Sequence, residues 1–309
     1  MEYIGIQSQI RKNNFVSVLL LLSFPVLLLA MLYVFLYFAS NNPEREANTA
    51  FISITPYVLA GVFIWFIIAW MFNSAILRLA TGSRPLERNE NLRVYNLLEN
   101  LCIANGIPMP KIYIIHDSSQ NAFASGLSRR NSAITLSEGI IEKLNDSELE
   151  AVIGHELAHI RNRDVRVLII TIIFVGIFSF IAEMAFRSLR FAGGGRSSDG
   201  KGSGFIVLLA VVVSAVCYFI SILMRFGISR SREYLADAGS AEMTKNPHAL
   251  ASALRKIACD PAIEAVESRD VAQLFIENPK PSAHRFSWDN LFATHPPISK
   301  RIELLEQFV

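Results

Sequence analysis

The chain has 309 residues, enough for one or two domains. Hydrophobic residues make up 52% and charged residues only 18%, more apolar than an ordinary soluble protein, which directs attention to membrane segments. The formal charge of +2 excludes a strongly basic nucleic-acid footprint, and three cysteines, far apart at 102, 217 and 259, argue against a disulfide framework and against a cysteine-held zinc.

Residues 1–14 are polar and carry Arg11 and Lys12, after which Phe15 to Ala39 is uncharged. A helix needs about 20 apolar residues to cross a bilayer, so this run reads as a retained span, with a kink expected at Pro25. The alternative is a cleavable signal peptide, whose apolar region is shorter and ends in a small-x-small site that is not evident here. A polar link over 40–56 precedes a second uncharged run, Tyr57 to Leu77. Arg11 and Lys12 before this hairpin, and Arg78, Arg84, Arg88 and Arg93 after it, flank a slightly acidic loop with Glu44 and Glu46. By the positive-inside tendency, the N-terminus and everything after Arg78 face the cytoplasm.

Residues 85–164 read as a soluble α+β segment. Asn91 to Asn105 is an amphipathic helix with Leu92, Tyr95, Leu98, Leu101 and Cys102 as its apolar face, stopped near Gly106 and barred from continuing by Pro108 and Pro110. Lys111 to His116, a short extended piece at Asn121–Ala124, and Ala133 to Ser137 read as a small sheet. Two readings stand for Asn121-Ala122-Phe123-Ala124: packing alone, or an edge strand that holds an extended peptide by β-addition.

The next helix starts at Asn145-Asp146-Ser147, and Ser147 with Glu150 fits a capping box. Leu149, Val152, Ile153, Leu157 and Ile160 recur at helical spacing around Gly154-His155-Glu156-Leu157-Ala158-His159. Residues four apart share a helix face, so His155 and His159 can each direct an imidazole at one Zn²⁺. Glu156 then stands beside a water whose pKa zinc lowers to about 7, and its carboxylate can take that proton and return it to a leaving amine. This is the chemistry of peptide-bond hydrolysis; the same spacing also occurs in ordinary surface histidine pairs.

The helical pattern runs on through Asp164 and Arg166 into Val167–Phe186, apolar except for Glu183. A Gly/Ser-rich loop spans Ala192–Gly204, and a fourth apolar run, Phe205 to Met224, leads into Ser229-Arg230-Ser231-Arg232-Glu233-Tyr234-Leu235-Ala236-Asp237. The third and fourth runs read as a hairpin that either spans the membrane or is re-entrant; Arg187, Arg190, Arg196 and Lys201 in its loop run against the charge rule. A helix from Asn246-Pro247 to Asp260-Pro261, a Pro/Ser-rich loop over 278–289, Thr294-His295-Pro296-Pro297 and a final helix, Ile298 to Phe308, complete the chain in order.

A third zinc ligand is needed. The continuation that supplies a third histidine fails, because Asn162 and Val165 stand where glycine and histidine would be. A carboxylate is the natural supply. Glu183 lies about 36 Å beyond His159 along a continuous helix, whereas Glu233 on the returning helix comes back to the depth of the histidines. Asp237, four residues on and on the same face, is expected to accept the free ring N–H of a ligating histidine.

The stretches GHELAHIRNRD (154–164), SRSREYLAD (229–237) and THPPISKRI (294–302) together resemble the HtpX membrane zinc metalloproteases, kin of the eukaryotic CAAX-processing protease, over nearly the whole chain. The resemblance implies a mainly α fold with a small β-sheet, an integral membrane zincin of gluzincin type with four hydrophobic helices and a cytosolic catalytic region. It implies an N-terminal membrane hairpin over 1–80 and a metalloprotease domain over 81–309 that contains the second hairpin, 166–186 and 205–224. It implies one zinc per chain on His155, His159 and Glu233, Glu156 as base, and Asn121, Ala122 and Phe123 as the strand that holds substrate. His295 would lie near the site as a donor to the developing oxyanion or to substrate. It further implies a multi-pass protein of the bacterial inner membrane with its site towards the cytoplasm, a stress-response role in membrane protein quality control, misfolded or damaged membrane proteins as substrates, and no nucleic-acid partner. His116, His248 and His284 are expected to serve at the surface or in packing. The competing functions are a proteolytically inactive binder of misfolded membrane proteins and a transporter; the latter needs paired intramembrane charges, and Glu183 is the single acidic residue in the four runs.

Overall fold

The structure, a computed structural model, describes residues 6–40, 42–126, 128, 131–192, 211–212, 214–216, 232–258 and 296–307. Its contacts divide the chain into two compact units, one of Met1–Asn14, Phe72–Ile169 and Phe226–Val309, the other of Phe15–Met71 and Ile170–Arg225.

The second unit is built from the apolar runs. Helices α1 (Ile6–Ala39) and α2 (Asn48–Thr81) are joined through a π-helical turn, Pro43–Ala47. The expected polar link over 40–56 is therefore shorter than its composition suggests. Asn48 Nδ2 and Thr49 Oγ1 donate back to the carbonyls of Glu44 and Arg45, at 2.6 and 2.8 Å, which carries the turn directly into α2. Both α1 and α2 run through an internal proline, Pro25 and Pro56. Phe24 of α1 stacks on Phe174 at 4.4 Å between ring centroids, and Phe66 of α2 reaches the same ring at 5.8 Å. Phe174 belongs to α6 (Asp164–Ala192).

The outward faces of these helices remain apolar: Ile52, Tyr57 and Phe63 are each more than three-fifths exposed. Such a surface is stable in hydrocarbon and not in water. Glu44–Ala75 is long and apolar enough to cross a bilayer, and Leu22–Phe38 is a shorter apolar helix. Of the fourth run, residues 211–212 and 214–216 are helical and the remainder lies outside the described residues, as does most of the Gly/Ser-rich stretch.

The first unit holds a four-stranded sheet in the order β1-β2-β4-β3, with β1 Arg84–Pro85, β2 Lys111–Ile115, β3 Ala122–Ser125 and β4 Ala133–Ser137. β2 and β4 are parallel; β1 and β3 pair antiparallel to their neighbours. The two-residue β1 escapes a sequence reading because it is too short to show alternation. β3 is an edge strand among the described residues, and helix α5 (Asp146–Asn162) packs against it. Helix α3 (Leu92–Asn105) begins as expected, with the Asn91 side chain accepting from Val94 N at 3.0 Å, and ends at Gly106 in the left-handed region. Its buried face is Val94, Leu98, Leu101 and Cys102; Leu92 is exposed, and Tyr95 is half-buried with its hydroxyl donating to Leu86 O at 2.7 Å.

A short helix α4 (Glu138–Lys143) leads to α5 (Asp146–Asn162). The cap of α5 is Asn145 with Glu148, two residues before the expected Ser147 and Glu150 pair. Glu148 does double duty: one carboxylate oxygen accepts from Asn145 N at 2.9 Å and Lys256 Nζ at 2.6 Å, the other from Ser252 at 2.7 Å. Contrary to the continuous helix expected after His159, α5 stops at Arg163, which adopts φ 61° and ψ 27°, and α6 starts afresh at Asp164. A helix over 232–244, here α7, a helix α8 (Pro247–Ile257) capped by Asn246, and α9 (Ile298–Glu306) complete the described part of this unit. α5 packs on α8, and α8 on α9.

Candidate metal centre

The site begins with two helices brought unusually close. On α5, Gly154 precedes His155; a Cβ there would stand 3.0 Å from Ser240 Oγ. On α7, a Cβ on Gly239 would stand 2.8 Å from the Cβ of Ala158, inside contact distance. Ser240 Oγ donates to Ala151 O at 2.6 Å, and Arg161 pairs with Glu242 at 2.9 Å. Small residues on both helices let the backbones approach, and this approach sets the side chains of 233 and 237 beside those of 155 and 159.

His155 and His159 meet edge-on, with Nε2 atoms 3.2 Å apart. Glu233 Oε1 lies 3.5 Å from His159 Nε2, and its Oε2 lies 3.7 Å from His155 Nε2. All three donors fall within 4.8 Å of one another. Ligand atoms about 2.0–2.2 Å from a tetrahedral zinc lie roughly 3.3–3.6 Å apart, so the donor set fits such an ion. Each imidazole is oriented from behind. His155 Nδ1 is 2.9 Å from Asp237 Oδ1, and His159 Nδ1 is 3.0 Å from Asp164 Oδ2. A carboxylate on Nδ1 fixes the tautomer that leaves Nε2 as the ligating atom.

Two further groups complete the buried charge network. Arg301 of α9 is fully buried and grips Asp237 with both ends of its fork, Nε to Oδ2 at 2.9 Å and Nη2 to Oδ1 at 2.7 Å; its Nη1 is 3.4 Å from Glu233 Oε2. Arg232, also buried, donates to the carbonyl of Asp164 at 3.0 Å. Burial by itself disfavours an imidazolium at 159, but the bonds to Asp164 and Glu233 outweigh it and push the pKa up to about 10. His155 is raised in the same way by Asp237 and Glu233 against burial. Burial pushes the Asp237 carboxyl up, and Arg301 more than reverses this, holding it below its ordinary value. The Glu156 carboxyl, equally buried, stays above its ordinary value because burial dominates over the neighbouring cations.

The other residues singled out from the sequence are placed as follows. Asn121, Ala122 and Phe123 are buried at the start of β3, beneath α5, and Asn121 N and O both bond the Ser137 hydroxyl at 3.0 Å. Glu183 is exposed and pairs with Arg187 at 2.5 Å, apart from the three-donor cluster. His295 and His284 lie outside the described residues. His116 is a surface group between Arg84 and Glu138, and His248 is exposed. Sequence reasoning passed over Asp164, Arg232 and Arg301. The signal for Arg301 was present: it occupies an apolar-face position of α9 at helical spacing from Leu305, and a cation there demands a buried partner.

An H-E-x-x-H helix crossed by a second helix whose Glu233 comes within 4.8 Å of both histidines is the arrangement of a metallopeptidase of the zincin kind. The family model for Peptidase family M48 matches residues 88–309, and the chain belongs to that family. It is 55% identical, over the full length of both chains, to the protease HtpX homolog of Bacteroides fragilis strain YCH46. It is 37% identical to that of Lactobacillus helveticus strain DPC 4571, covering 97% of this chain and 98% of the other. Among solved structures, the crystal structure of S. mikatae Ste24p shares the fold with a TM-score of 0.51 at 22% identity, over 90% of this chain and 62% of that one. The activity is that of a membrane metalloendopeptidase.

Proposed function

We propose that the chain is a zinc-dependent endopeptidase of the bacterial inner membrane that cuts misfolded or damaged membrane proteins on the cytoplasmic side. The observation that carries the reading is the convergence of His155, His159 and Glu233, each imidazole backed by its own carboxylate. When bound, zinc supplies a Lewis acid that polarises the scissile carbonyl and acidifies water. Glu156 takes the proton of the attacking water and returns it to the leaving amine. Asp164 and Asp237 hold the two imidazoles in register. His295 serves as a hydrogen-bond donor to the developing oxyanion. The edge strand β3, with Asn121, Ala122 and Phe123 as its substrate segment, holds an extended polypeptide beside the metal helix. In domain terms, residues 1–80 form the membrane hairpin and 81–309 the catalytic domain, with its own hydrophobic hairpin at 166–186 and 205–224.

The test is Glu156→Gln in the detergent-solubilised full chain. Zinc content by metal analysis is expected to be unchanged while turnover of an unfolded protein falls at least about a hundredfold. Chelation of the wild-type protein is expected to abolish turnover and zinc to restore it. Near-wild-type turnover by the Gln variant would remove Glu156 from the reaction.

A further inference from the structure

The first unit contains a cleft of about 310 Å³ that the proteolytic reading leaves unused. It is lined by two serines, Ser128 and Ser132, two arginines, Arg163 and Arg166, and the apolar Ile160 and Val165. Its place in the chain is informative. Arg163 and Arg166 stand immediately before the apolar run that begins at Val167. Arg163 Nη1 donates to Asn14 Oδ1 at 2.9 Å, and Asn14 is the last residue before the other apolar run, which begins at Phe15. The compact units change over at the same two places, after Asn14 and after Ile169. Arg11 and Lys12, both exposed, add positive charge within one turn of Asn14. Two guanidinium groups are thus tied to the level at which two apolar segments start. In a membrane protein that is the level of the lipid phosphates.

We propose that this cleft binds the phosphate of an anionic phospholipid headgroup. Guanidinium forks match phosphate oxygens in pairs, and hydroxyls are suited to the remaining oxygens. The volume lies at the small end of ligand pockets, of headgroup rather than acyl-chain size. Ile160 and Val165 offer the less polar glycerol an apolar wall. Occupancy reaches the metal centre through one residue. Arg163 ends α5 in a left-handed conformation, and Asp164, between the two arginines in sequence, holds His159 Nδ1. A phosphate shared by Arg163 and Arg166 would brace the turn that aims His159. The inference rests on membrane attachment and is independent of how substrate lies on β3.

The test uses the full chain in nanodiscs of phosphatidylcholine with and without phosphatidylglycerol. Lipid retained by the protein is counted by native mass spectrometry, and hydrogen exchange is followed over residues 159–166. The wild type is expected to retain phosphatidylglycerol preferentially and to show slower exchange in its presence. Arg163→Asn with Arg166→Gln removes both charges, and asparagine tolerates the left-handed backbone at 163. This pair is expected to lower the preference on the order of thirty-fold. The charge-retaining pair Arg163→Lys with Arg166→Lys is expected to keep most of it. Equal retention of both lipids by the wild type, or equal loss in the lysine and neutral pairs, would overturn the proposal. So would displacement of phosphatidylglycerol by millimolar inorganic phosphate, which would assign the cleft to a soluble anion. An altered preference for acidic residues in peptide substrates, with lipid retention unchanged, would assign it to substrate and likewise overturn it. Failure of the wild type to enter even neutral nanodiscs would instead refute membrane attachment itself.

Discussion

His159 depends on a residue that is not a ligand. Its Nδ1 meets Asp164 at 3.0 Å, across the break between α5 and α6, while His155 uses Asp237 from another helix. Removing either carboxylate frees a ring to rotate, and Asp164→Ala and Asp237→Ala are each expected to weaken zinc binding on the order of 10–100-fold, measured by competition with a chelating dye. Glu233→Ala removes the proposed third ligand and is expected to exceed both, whereas Glu183→Ala is expected to leave zinc affinity at the wild-type level. Arg301 acts on stability as well. With it gone, Asp237 and Glu233 remain as buried carboxylates, so Arg301→Ala is expected to cost about 3–5 kcal/mol of unfolding free energy. Glu148 gives a pH signature. Burial acts to raise its pKa, but Lys256, Ser252 and Asn145 bond the carboxylate and the net shift is downward. A depressed folded pKa adds stability above the unfolded value of about 4.3, and that stability is lost as pH falls through the folded value. Glu148→Gln is therefore expected to lower the melting temperature at pH 7 and to match the wild type more closely as the pH approaches 3.

At the scale of elements, the crossing of α5 and α7 makes the site. Gly239→Ala places a methyl 2.8 Å from the Cβ of Ala158, and neither atom has a flexible chain with which to retreat. The helices must separate, at a cost of roughly 1–3 kcal/mol. Separation also lengthens the span from Glu233 to the histidines, so zinc affinity is expected to fall together with thermal stability, a pairing that a merely local defect would not produce. Ser240→Ala removes the hydrogen bond to Ala151 O without adding bulk and is expected to cost about 1 kcal/mol with little change in zinc binding. Gly139 is a second tight point: a Cβ there would overlap Ser118 O, the loop that leads into β3.

For the whole molecule, the two compact units are interleaved along the chain. Positive charge at Arg11 and Lys12 and after Leu77 predicts that both sides of the first hairpin begin in the cytoplasm and that its loop does not. In a background free of native cysteines, Arg45→Cys is expected to react with a membrane-impermeant maleimide in intact cells, and Arg130→Cys to react only after lysis. Ready labelling at 130 would invert the topology and place the catalytic unit outside.

Much of the site was legible because its logic is local. The four-residue spacing of His155 and His159 is a helix property, and the caps at Asn91 and Asn246 act within three residues. The apolar runs declare themselves by length. What the linear order could not supply is which distant charges share one buried volume. Arg301 reaches Asp237 across 64 positions and His155 across 146, and nothing in α9 by itself names these partners. The order β1-β2-β4-β3 and the break at Arg163 belong to the same class. The physical reason is that a glycine in a sequence shows only that a backbone can be approached. Gly154 and Gly239 acquire their meaning when α5 and α7 close on each other and the charges they carry, shut away from water, are left to satisfy one another.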